Sequence, residues 1–85
     1  MAKFDITLEA ILRGAADRNI GFGDLRHLLS HFGFQERIKG DHHIFSRDGI
    51  TEIINIQPLG SKAKAYQVKQ VRNLFVKYKL AGEKS

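Results

Sequence analysis

Eighty-five residues, 42% of them apolar and 27% charged, fit one compact domain and leave no room for two. The absence of cysteine excludes disulfides and thiolate metal sites, and no run approaches the roughly 20 apolar residues that span a bilayer or forms a secretion signal, so a cytoplasmic protein without a membrane partner is expected. The net charge of +5 is uneven: residues 1–59 hold seven Lys/Arg against eight Asp/Glu, whereas residues 60–85 hold seven against Glu83 alone, which concentrates at one end a field that attracts polyanions.

In chain order, Ile6, Leu8, Ile11, Leu12, Ala15 and Ala16 lie close to a helical stripe and predict a helix over residues 5–18. Gly21 and Gly23 mark a break, after which Phe22, Leu25, Leu28, Leu29 and Phe32 recur at 3.6-residue spacing until Gly33 ends a second helix. From Phe34 the period changes to two. Residues 34–39, 42–47 and 50–57 are β-rich runs separated by Gly40-Asp41 and Asp48-Gly49, where glycine supplies positive φ, and they predict an antiparallel three-stranded meander. Pro58 cannot donate to a ladder and ends the third strand; a Gly/Ser/Lys loop follows over residues 59–65. A last helix over residues 65–80 places Val68, Val71, Phe75 and Tyr78 on one face with Leu74 at its edge, and Lys69, Arg72 and Lys77 towards the other side.

The order is thus one extra helix within residues 1–20, an α-β-β-β-α core over 21–80, and a flexible tail over 81–85. Such short connections make neighbouring strands pair, with two helices on one sheet face and the other face open. This is an α+β layout of the double-stranded-RNA-binding-domain-like (dsRBD-like) kind.

Few residues are placed for chemistry. His42 and His43 are consecutive on a strand, so they point to opposite faces and neither share a substrate nor ligate one metal. Phe45 belongs in the core and shares parity with His43, which puts His42 on the open face with Ile44. On composition alone His42 reads as an ordinary surface histidine. Asp24, His27 and His31 line one helix face, and His-x-x-x-His is a possible metal spacing, but the glutamate of a His-Glu-x-x-His motif is missing and no metal is expected. Gly60-Ser61-Lys62 lacks the upstream glycine of a phosphate-binding loop. The basic stretch Lys62, Lys64, Lys69 and Arg72 suits phosphate contacts, and Tyr66 is either a stacking ring or a residue that packs at a helix start.

Residues 25–80 resemble the HicA family, also called YcfA-like, toxins of toxin–antitoxin pairs that cleave messenger RNA. The resemblance rests on Phe32-Gly33-Phe34, on Gly40-Asp41-His42-His43-Ile44-Phe45, and on Ile54-Asn55-Ile56-Gln57-Pro58 leading through a Lys/Gly loop to the closing helix. The hairpin is similar to the family's Gly-Ser-His-x-x-Phe motif, which implies that His42 is catalytic and that a HicB-type antitoxin is the protein partner. Asp41 stands at the family's serine position, and Gln57 where many members carry histidine.

The resemblance implies an mRNA interferase, a metal- and cofactor-independent endoribonuclease. RNA brings its own nucleophile, so such a reaction needs a base for the 2′-hydroxyl, positive groups for the phosphorane, and in-line geometry. His42 would be the base, or the acid of the second step, with Arg37, Lys39, Lys62 and Lys64 on the phosphates. The alternatives are a non-catalytic RNA-binding module using the same basic helix, and an interaction protein whose open face holds an antitoxin-like partner.

Overall fold

The computed structural model describes residues 3–83. Phe4, Leu8 and Ile11 recur at helical spacing, and the helix α1 (Lys3–Arg13) turns all three inward. Ile6 and Leu12, which the apolar stripe also included, are exposed. The helix stops short of residue 18 because Gly14 takes φ +72°, a left-handed conformation that closes a helix. A single 3₁₀ turn (Asp17–Asn19) then leads to the buried Ile20.

Helix α2 (Phe22–His31) ends in a Schellman closure, with the Gly33 N–H on the Ser30 carbonyl at 3.0 Å and the Phe34 N–H on the Leu29 carbonyl at 3.1 Å. Gly33 takes φ +84° there, which re-aims the chain into the sheet.

Strands β1 (Gln35–Lys39), β2 (His42–Arg47) and β3 (Ile50–Ile56) form an antiparallel meander in the order β1-β2-β3. Lys39 pairs with His42 across the first turn, Arg37 with Ile44, and Ile44 with Asn55. One face of this sheet supplies Phe45, Ile54 and Ile56 to the core. They meet Leu25, Leu28 and Leu29 of α2, and Val68, Val71 and Phe75 of α3 (Ala65–Lys77). Phe75 also meets Phe32 edge-to-face at 5.0 Å. Phe45 is wholly buried, and truncating a core phenylalanine to alanine costs about 3–5 kcal/mol.

Between β3 and α3 a small hairpin of β4 (Pro58–Leu59) and β5 (Lys62–Ala63) replaces the expected loop. It docks on the chain before α2, the Ala63 N–H bonding the Ile20 carbonyl at 2.9 Å and the Phe22 N–H the Ser61 carbonyl at 3.0 Å. Helix α3 ends at Lys77 rather than at residue 80, since Lys79 has φ +54°. A 3₁₀ turn (Leu80–Glu83) follows, which buries Leu80 and takes in residues 81–83 of the expected flexible tail; residues 84 and 85 of that tail lie outside the described residues. The chain is therefore a small α+β domain, and among its described residues no helix is long and apolar enough to cross a membrane.

Candidate functional site

Strand parity separates the two histidines as the sequence requires. The His43 side chain turns towards the helices and is only 13% exposed. Its ring meets Phe22 edge-on at 4.8 Å, and its Nδ1–H donates to Glu36 Oε2 at 2.7 Å. Arg26 grips the same carboxylate from α2 with two bonds of 2.7 and 3.0 Å. The Arg26 guanidinium, helped by His43, holds the Glu36 carboxyl below its ordinary range against the opposing effect of burial. His43 thus belongs to a structural junction between α2 and the sheet.

The His42 side chain stands on the open face, 45% exposed. Its cross-strand neighbour Lys39 is fixed by the two-residue turn Gly40-Asp41, whose first residue has φ +63° as in a type II′ hairpin. Nε2 of His42 lies 3.2 Å from Nε2 of Gln57 and 3.8 Å from Oδ1 of Asp41, and Nδ1 lies 3.1 Å from Oδ1 of Asn55.

The protonation pattern follows from one cation. Lys64 Nζ sits 3.1 Å from the Gln57 amide, and an ammonium can only donate, so the atom facing it is Oε1. The Gln57 NH₂ then points at His42, making Nε2 the acceptor. The ring of this neutral imidazole carries its hydrogen on Nδ1 and donates to Asn55. Asn55 accepts that hydrogen and so supports the tautomer, in which Nε2 carries the lone pair that a general base needs.

Gln67 supports this arrangement from beneath. It is a buried polar side chain on α3; its Oε1 accepts the Gln57 backbone N–H at 2.8 Å and its Nε2 donates to the Tyr66 hydroxyl at 3.3 Å. A buried amide with both ends engaged fixes where β3 hands over to the hairpin.

Of the basic residues singled out in the sequence, Lys39 and Lys64 flank His42, one across the strand pair and one through Gln57. Arg37 is exposed two residues along β1 from Lys39, on the same face. Lys62 is exposed on β5, two residues before Lys64. Tyr66 keeps 58% of its surface exposed although its hydroxyl is held, and Lys69 is exposed one turn further along α3. Arg72 is set apart: its side chain is only 19% exposed, and it bonds Asp17 and the Ile11 carbonyl.

The possible metal spacing on α2 comes to nothing geometrically. Asp24 faces Lys3 at 3.8 Å and His31 stacks on Phe4 with ring centroids 3.6 Å apart; among the described residues no three His, Asp or Glu side chains are grouped to hold an ion. A groove of about 360 Å³ beside β3 and α3, with Ile53, Ile54, Leu74 and Lys77 in its walls, shares no residue with the His42 network.

Sequence reasoning had marked Gln57 only as a departure from a motif and had given Asn55 and Gln67 no role. Asn55 and Gln57 both have the parity of the open face, which was the available signal. Comparison with protein-family models, with curated proteins and with solved structures gives no match to this chain.

Proposed function

We propose that this protein is an endoribonuclease of the HicA-like mRNA interferase type, with a dsRBD-like arrangement of its α-β-β-β-α core and His42 as its single acid–base residue. The observation that carries the reading is the His42 ring itself: it is exposed on the open sheet face, held by Asn55 in the tautomer that leaves Nε2 a lone pair, and flanked by Lys39 and Lys64.

Single-stranded RNA would lie along the open face with phosphates on Arg37, Lys39, Lys62 and Lys64, and Lys69 extending the cationic track past the stacking ring of Tyr66. Nε2 of His42 takes the proton from a 2′-hydroxyl as that oxygen attacks the adjacent phosphorus. The bond to the 5′ oxygen breaks, and the imidazolium returns its proton to that leaving oxygen. The products are a 2′,3′-cyclic phosphate and a 5′-hydroxyl end. The lysines stabilise the charge that builds on the phosphorane. With one residue serving both proton transfers, turnover is slow. A HicB-type antitoxin would neutralise the toxin by covering the open face.

Induced expression of wild type and of His42→Ala in one host tests the reading through growth and messenger RNA integrity. Arrested growth with fragmented messages for wild type alone is the expected outcome. Equal fragmentation with both, or with neither, removes the nuclease; salt-dependent RNA binding without cleavage would then leave a binding module.

A further inference from the structure

Gln57 does more than neighbour the catalytic ring, because the same lone pair that would accept the 2′-hydroxyl proton is already occupied by its amide. We propose that Gln57 is a cap on His42, released when a phosphate takes Lys64 away from it. The inference deepens the reading of His42 as a base and rests on it.

Both ends of the Gln57 amide are engaged. Oε1 accepts from Lys64 Nζ at 3.1 Å, while Nε2 donates to His42 Nε2 at 3.2 Å and to Asp41 Oδ2 at 3.5 Å. An imidazole nitrogen offers one in-plane lone pair, so in this state Nε2 is satisfied and a hydroxyl cannot use it. The base must be uncovered before it works.

Lys64 is the half-buried cation of this chain of bonds, and a polyanion can compete for it. A phosphodiester oxygen competes with the neutral Gln57 carbonyl for the ammonium, and it brings a full opposite charge that the amide lacks. With Lys64 drawn to phosphate, the Gln57 amide keeps only its two longer bonds and regains rotamer freedom. The backbone does not follow, since the Gln57 N–H remains on the buried Gln67 Oε1 at 2.8 Å. The movement is confined to one side chain. Asn55 is untouched by it, so the ring is uncovered in the tautomer that leaves Nε2 as acceptor. The site then exposes its base only when a phosphate is in place beside it, and a hydroxyl next to that phosphate replaces the amide on Nε2.

The test follows the ring nitrogens of His42 in ¹⁵N-labelled protein by long-range ¹H–¹⁵N correlation at pH 8, well above the ordinary histidine range. In phosphate-free buffer Nδ1 is protonated, and Nε2 resonates upfield of a free lone pair because it accepts a hydrogen bond. Gln57→Ala moves Nε2 downfield to the free position without loss of fold. Inorganic phosphate moves it the same way in wild type, saturably, and moves it no further in Gln57→Ala. Lys64→Ala displaces Nε2 downfield without phosphate and abolishes the response. A wild-type Nε2 already at the position seen in Gln57→Ala overturns the proposal, as does phosphate that saturates the Lys64 resonances and leaves Nε2 still. Single-turnover RNA cleavage is read in parallel and is at least as fast in Gln57→Ala as in wild type. Absence of cleavage in every variant, with the nitrogen shifts as described, defeats the nuclease reading and leaves the phosphate-released cap standing.

Discussion

The Arg72 guanidinium lies 2.8 Å from the Asp17 carboxylate and joins α3 to the turn that follows α1. It also donates at 3.2 Å to the Ile11 carbonyl, which accepts the Gly14 N–H as well, at the end of α1 where a cation is favoured by the helix dipole. A Cβ on Gly14 would come within 3.4 Å of the same guanidinium, so the helix end and the arginine fit each other. Both partners of the ion pair are about four-fifths buried. Removing Arg72 leaves Asp17 uncompensated, and Arg72→Ala should cost about 2 kcal/mol, a fall in Tm of roughly 8–16 °C for a domain of this size. Thermal unfolding checks this, and an unchanged Tm would show the clamp to be idle.

Acid should loosen the fold through two glutamates. Lys77, with Tyr78 second, holds the Glu52 carboxyl down to about 2 from its ordinary 4.5, and Arg26 lowers Glu36 in the same direction. A carboxylate whose folded value is depressed contributes stability that is complete above the ordinary value and is lost as pH falls towards the folded one. For Glu52 that window runs from 4.5 down to about 2. Glu52 is on the surface, so salt should shrink its share. Urea midpoints measured across this window should fall with acid in wild type and fall less steeply in Glu52→Gln; parallel curves would discard the assignment.

The strands were legible because glycine sits where the chain must turn, between short β-rich runs. The end of α1 was not. Ala15 and Ala16 continue an apolar pattern past Gly14, and pattern alone does not show that Gly14 takes positive φ. The His42 network was hidden for a different reason. Arg47 pairs with Ile50 and Phe45 with Ile54, so one residue of β2 faces three of β3. A hairpin without that irregularity would set Asn55 opposite His42. The two extra residues of β3 keep the parity of every side chain, so the core assignment survives, but they slide Gln57 into that place and leave Asn55 on the diagonal. The division of the basic residues was equally hidden, since charge counting cannot tell Lys64 at the site from Arg72 in its clamp.

Salt dependence should make that division measurable. Each phosphate contact on single-stranded nucleic acid adds roughly 0.7 to the slope of log affinity against log salt. Replacing Lys62, Lys64 and Lys69 together with alanine should therefore flatten the slope by about 2, while Arg72→Ala leaves it unchanged at a temperature where the variant is folded. Fluorescence anisotropy with a labelled single strand at several salt concentrations reads both. Equal flattening by Arg72→Ala would return that residue to the RNA track and contradict its role as a clamp.

His42 and His43 offer the sharpest contrast, because one strand presents them to opposite environments. His43 Nδ1 is bonded to Glu36 and its ring lies against Phe22; its loss removes packing and one partner of a shielded carboxylate, so His43→Ala should lower stability by about 1–3 kcal/mol. Cleavage per folded molecule should change little. His42 makes its bonds to exposed or half-buried amides on the open face, so His42→Ala should leave the Tm within a few degrees of wild type and RNA affinity nearly intact. The rate constant for cutting should fall by at least 10²-fold, the scale of general base catalysis, and affinity and rate should separate as they do when an interaction made only in the transition state is lost. A chelator should not alter the wild-type rate. The decisive measurement is single-turnover cleavage at saturating protein, read beside anisotropy and unfolding on the same preparations. If the two variants exchange these phenotypes, strand parity has been assigned to the wrong faces; if His42→Ala cuts at the wild-type rate, the base lies elsewhere and the open face serves binding alone.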